Sequence, residues 1–125
     1  MVKSIYSIII ATAILIVGGI FEQLYLEKTF TALREDFTLA YQKINSGEAS
    51  SNDVIAIKTN WLDKKKKLHF FISHNDIKEM DLWLSETVAY LKLGDLKESV
   101  SKLEVAINLT EQIPKNYLIR FENIL

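Results

Sequence analysis

SIYSIIIATAILIVGGIF, residues 4–21, runs for eighteen positions without a charged side chain, and the reading of this stretch decides the rest. As a helix rising about 1.5 Å per residue it spans roughly 27 Å, close to the ~30 Å hydrocarbon core of a bilayer. Ile5, Ile8, Ile9, Ile10, Ile14, Ile16 and Ile20 join Leu15, Val17 and Phe21. At roughly −0.3 to −0.6 kcal/mol apiece, these ten side chains favour insertion by on the order of 3 to 6 kcal/mol. Ser4, Ser7, Thr12 and the Gly18-Gly19 pair offset part of that gain. The stretch therefore reads as a transmembrane signal anchor, residues 1–21, placing the chain in the cell membrane as a single-pass protein.

The flanks set the orientation. Lys3 and the α-amino group precede the segment, whereas Glu22 and Glu27 follow it before Lys28 appears. Basic residues mark the cytoplasmic side, so the expected topology is N-terminus cytoplasmic and body extracytoplasmic. Tyr6 and Tyr25 fall near the two expected interfaces, where amphipathic rings are favoured. Two other readings stand beside the anchor. Val17-Gly18-Gly19 offers a small-residue site at which a secretory signal could be cleaved. Alternatively, the segment is the buried helix of a soluble protein.

Residues 22–125 are long enough for one small domain with its own core. The chain has no cysteine, which removes disulfides and thiolate metal ligands. Fifteen basic and sixteen acidic residues leave a net charge of −1, a balance that argues against nucleic acid as a partner. One proline and four glycines point to long uninterrupted helices.

Beyond the anchor, Tyr25 or Leu26, Phe30, Leu33, Phe37, Ala40, Tyr41 and Ile44 recur at intervals of three and four, the mark of an amphipathic helix. Nothing but Gly18-Gly19 separates it from the apolar run, so one long helix is expected to leave the bilayer and enter the domain. Asn45-Ser46-Gly47 ends it. Ser51, Asn52 or Asp53 caps a second helix running to about Ser73, with Val54, Ile57, Trp61, Leu68, Phe71 and Ile72 on its apolar face.

Ser73 and Asp76 have a capping spacing for a third helix, with Ile77, Met80, Leu84, Val88 and Leu91 as its stripe, widened by Trp83 and Thr87. Gly94 closes it and Asp95 opens a fourth, with Leu96, Val100, Leu103, Ile107 and Thr110 inward and Ala106 on the flank. Pro114 is expected to end that helix. Residues 117–125 then form a short terminal helix with Leu118, Phe121 and Leu125 inward. No stretch alternates with a period of two. The class is all-α: an N-terminal transmembrane helix continuing into an antiparallel bundle of about four helices, residues 22–125, because short loops force antiparallel neighbours.

Chemistry-bearing constellations are sparse. His69 and His74 stand five positions apart, too far round for one helical face, and His74 before Asp76 reads as part of a cap. Asp76, Glu79 and Asp81 complement the dipole at a helix start. Lys64-Lys65-Lys66-Lys67 could meet anionic lipid headgroups or an acidic wall polymer. Four consecutive residues point all round a helix, so a solvated face is the simpler reading. Asn108-Leu109-Thr110 matches a glycosylation sequon in mid-helix. There is no phosphate-cradling glycine loop, calcium loop or nucleophile elbow, so no cofactor, metal or small-molecule substrate is expected.

The leading expectation is a non-catalytic protein-interaction or envelope structural module with a protein partner or a second copy of itself. Trp61, His74, Trp83 and Tyr90 are its candidate partner-binding residues. Aromatic residues on an apolar stripe more often fill a core, however. A sensor or enzyme domain using His74 with Asp76 or Glu79 is the competing class, and it requires those side chains to converge in a pocket.

The hydrophobic leading helix, Trp61 followed by lysines, Phe71-Ile72-Ser73-His74 and the closing Asn123-Ile124-Leu125 together resemble an uncharacterised family of short bacterial proteins, a domain of unknown function found in clostridia and their relatives. That resemblance covers nearly the whole chain. It implies a membrane-anchored helical protein and assigns no functional residue. Residues 89–106, AYLKLGDLKESVSKLEVA, are similar to the centre of a tetratricopeptide hairpin. This implies a peptide-binding hairpin stack as an alternative, although one unit is visible and a solenoid needs about three.

Overall fold

The structure, a computed structural model, describes residues 2–48 and 51–124, of which 51 and 118–124 are described through their helical backbone alone. Four helices follow one another: α1 (Val2–Asn45), α2 (Ser51–Leu68), α3 (His74–Lys92) and α4 (Leu96–Ile124). No strand occurs among the described residues, and the fold is all-α.

α1 is continuous for 44 residues and divides into two halves by burial. From Val2 to Gly18 every residue is exposed. In the second half Leu26, Thr29, Phe30, Leu33, Phe37, Ala40 and Ile44 are buried, at spacings of one, three and four. Glycine in a helix interior costs about 1 kcal/mol, and Gly18-Gly19 does not interrupt α1. The buried-helix reading of residues 4–21 therefore fails, because the apolar half packs against nothing in the body.

The first three helices are each stopped by a definable device. After α1, Gly47 takes φ 75° and the Glu48 amide returns to the Lys43 carbonyl at 3.0 Å. After α3, Gly94 takes φ 78° and the Asp95 amide reaches back to Tyr90 at 2.9 Å. These are left-handed caps that a β-carbon would strain. Asp95 then caps α4 by accepting from the Glu98 amide at 3.2 Å.

α2 ends at Leu68, five residues before the expected end at Ser73. Amides of Phe71 and Ile72 fold back onto the Leu68 carbonyl, at 2.9 and 3.0 Å, so Phe71 and Ile72 reach the core from a turn. Ser51, Asn52 and Asp53 lie inside the first turn of α2 rather than at its cap.

The chain runs up, down, up and down. Lys43 meets Asp53, Asn60 meets Asp36, and the Tyr25 ring lies 5.1 Å from that of Phe71, so α2 descends beside α1. α4 packs along both α1 and α3, closing the square around a shared core of Leu26, Phe30, Phe37, Trp61, Met80 and Leu103. Closure about a common core differs from a stack of hairpins, which would leave a concave face open.

Pro114 does not end α4. It lies buried inside the helix, which continues to Ile124, and no separate terminal helix forms. Proline removes the amide that would bond the Thr110 carbonyl. Arg34 of α1 supplies the replacement, Nη2 donating to that carbonyl at 3.2 Å. On α4, Leu103 and Thr110 of the expected inward line are buried, but Ser99 and Ala106 are buried in place of Val100 and Ile107, which are half-buried, while Ile113 is buried and Leu96 is exposed. The inward turn expected of Leu118, Phe121 and Leu125 lies outside the described side chains.

Candidate functional site

The four candidate partner-binding residues have different surroundings. Trp61 is 1% exposed and sits in the core. Its indole Nε1 donates to Asp81 Oδ1 at 2.6 Å, and Asp81 Oδ2 accepts from Lys65 Nζ at 2.9 Å. Lys65, one of the four consecutive lysines, is thus turned to a carboxylate on α3. Trp61 has no surface to offer a partner and fills the core instead.

Trp83 and Tyr90 lie two turns apart on α3 and share one cation. Lys102 Nζ stands 5.5 Å from the Trp83 ring centre and 5.9 Å from that of Tyr90. Glu86 and Glu98 hold the same ammonium at 3.9 and 4.0 Å. The half-buried rings are therefore roofed by a lysine stem rather than open in a trough. A groove of ≈ 310 Å³ does open between α1 and α2, but Asp36, Leu39, Lys43, Asp53, Ile57 and Asn60 line it, and none of the four candidates does.

His74 is the first residue of α3 and is exposed. Its ring faces His69 across the α2–α3 turn, with centres 6.0 Å apart and planes 26° from parallel. The spacing of five that separated them on one helix brings them together once α2 stops at Leu68. Asp76 does not converge on His74. Its Oδ2 accepts from the Tyr117 hydroxyl at 2.9 Å, and that hydroxyl accepts from the Ser73 amide. Ser73 Oγ in turn accepts from the Asp76 amide at 3.3 Å. A capping box normally closes directly between its two side chains and amides. Here one arm is relayed through a phenol from α4, a partner that local spacing does not reveal. Glu79 is exposed. Among the described residues no three His, Asp or Glu side chains stand close enough to hold a metal ion.

The first half of α1 is outward and apolar along its whole length. Its eighteen-residue apolar window has 0% of its residues buried, and the helix is long and apolar enough to cross a membrane.

Fold and surface define the class: an up-down four-helix bundle whose first helix extends past the body as an exposed apolar rod. The chain belongs to the family described as Domain of unknown function (DUF4363), which matches residues 20–124. That match takes in the whole bundle and little of the apolar run. No curated protein and no solved structure matches the chain.

Proposed function

We propose that this chain is a single-pass membrane protein whose anchor, residues 4–21, holds the helical body outside the cytoplasmic membrane, N-terminus inside. There the body works by binding a partner, as an interaction or structural module of the envelope, rather than by catalysis. One observation carries this reading: an apolar helix of membrane-spanning length stands wholly outside the core that the rest of its own helix helps to build. Exposed to water, ten large apolar side chains would drive association or insertion. Lys3 on one side, against Glu22 and Glu27 on the other, supports the orientation.

The absence of cysteine makes the test clean. Full-length protein carrying Ser46→Cys should react with a membrane-impermeant maleimide in intact cells, and Ser4→Cys only after permeabilisation. The protein should stay in the membrane pellet through alkaline extraction and retain its N-terminal mass. Release by alkali would overturn the anchor. Loss of residues 1–19 would replace it with a cleaved signal.

A further inference from the structure

We propose that the turn between α2 and α3 is a second membrane contact, in which Phe70 enters the interface of an anionic bilayer and Lys66 and Lys67 meet its headgroups. This rests on the anchored reading above and adds a lipid-binding site to it.

Topology selects the turn. The loops after α1 and after α3 lie at the end of the bundle far from the apolar rod, whereas residues 69–73 return to the near end. Depth follows from Tyr25, whose ring is 5.1 Å from that of Phe71. Tyr25 is four residues beyond Phe21, about 6 Å along the axis, and the headgroup zone on each side of the hydrocarbon is about 5–7 Å deep. With residues 4–21 spanning the hydrocarbon, the turn sits at headgroup level.

Its chemistry suits that level. Phe70 is 86% exposed, more than any other large apolar side chain described, including those of the rod. Its neighbours Phe71 and Ile72 turn inward, so folding alone does not require an aromatic at position 70. Lys66 and Lys67 are exposed and pair with no carboxylate among the described residues, whereas Lys65 is occupied by Asp81. Asp63 is the acidic neighbour on α2, and Lys64 and Lys67 share its cleft against Tyr25 and Lys28. Residues 63–70 carry four lysines against one aspartate, so the end of α2 that leads into the turn is basic. An aromatic ring flanked by lysines matches the boundary between acyl chains and phosphates.

The inference is tested on full-length protein in proteoliposomes of phosphatidylcholine with phosphatidylglycerol, containing lipid labelled with nitroxide at the headgroup. A fluorophore on His69→Cys, beside Phe70, should be quenched several-fold more than one on Lys97→Cys at the far end of the body. Phe70→Ser should reduce quenching at position 69, and burial of a phenyl ring predicts a loss of roughly tenfold in the contact equilibrium. Lys66→Gln with Lys67→Gln, or phosphatidylcholine alone, should also reduce it. Equal quenching at 69 and 97 in protein that resists alkaline extraction would overturn the second contact and leave the anchor standing. Quenching unchanged by Phe70→Ser would overturn the role of the ring, and quenching indifferent to phosphatidylglycerol would overturn that of the lysines. Protein released by alkali would instead remove the anchored reading itself.

Discussion

Arg34 of α1 donates from Nη2 to the Thr110 carbonyl of α4 at 3.2 Å, and that carbonyl is the one Pro114 leaves without an amide partner. Nε of the same guanidinium donates to Thr110 Oγ1 at 3.3 Å and lies 3.8 Å from Glu111. One side chain thus repairs the helix that packs beside it.

Arg34→Ala should therefore destabilise the protein by about 1–2 kcal/mol, the cost of leaving a buried acceptor unmet, reduced because Arg34 is partly solvated. In a Pro114→Ala background the amide returns and the same substitution should cost less. Thermal melts of the four proteins in detergent, followed by helical circular dichroism, check this as a double-mutant cycle. Additive losses would mean that Arg34 acts through its ion pair and not through the carbonyl.

Trp61→Phe removes the donor to Asp81 and some buried ring volume, and should cost about 2 kcal/mol. Trp61→Ala should cost about 3–5 kcal/mol, as expected for a large core aromatic. Denaturant titration read by circular dichroism measures both. A near-neutral Trp61→Ala would show that the ring is not in the core.

Tyr117→Phe and Ser73→Ala both act on the same cap. Each should cost about 1 kcal/mol, and together they should cost less than the sum, because the Ser73 amide and Asp76 share the phenol. Amide hydrogen exchange in the first turn of α3 should rise in either variant and stay unchanged at the start of α4.

Lys102→Ala should uncover Trp83 and Tyr90 at a cost of about 0.5–1 kcal/mol. In a Trp61→Phe background, where Trp83 is the sole tryptophan, its emission should shift red and acrylamide should quench it more strongly. Unchanged quenching would mean that Lys102 does not roof the ring.

The sequence made most of the core face of α1 readable, from Leu26 to Ile44, since a single spacing rule decides burial on a long uninterrupted helix; only the buried Thr29 lies off the expected stripe, and Tyr41 on it is half-buried. It failed where a distant side chain overrides a local rule. Proline stops a helix when the lost bond goes unreplaced, and Arg34 is 76 positions away from its acceptor. Ser99 lies off the expected stripe of α4, yet it is buried, and its hydroxyl is satisfied there by donating to the Thr87 carbonyl at 3.1 Å. The end of α2 was illegible for a related reason: Phe71 and Ile72 keep the helical spacing of Leu68 although they reach the core from a turn. Among the candidate residues, aromatic identity marked Trp61, Trp83 and Tyr90, but only Lys65, Asp81 and Lys102 decide how much of each ring is available.

α1 carries the apolar rod and the first wall of the bundle in one unbroken winding, so the two are geared together. Slipping one alanine between Phe21 and Glu22 would swivel every outward face of the body by about 100° relative to the rod. The heading of the body is thus encoded by the residue count at that junction, and a point insertion there would misdirect an otherwise intact protein.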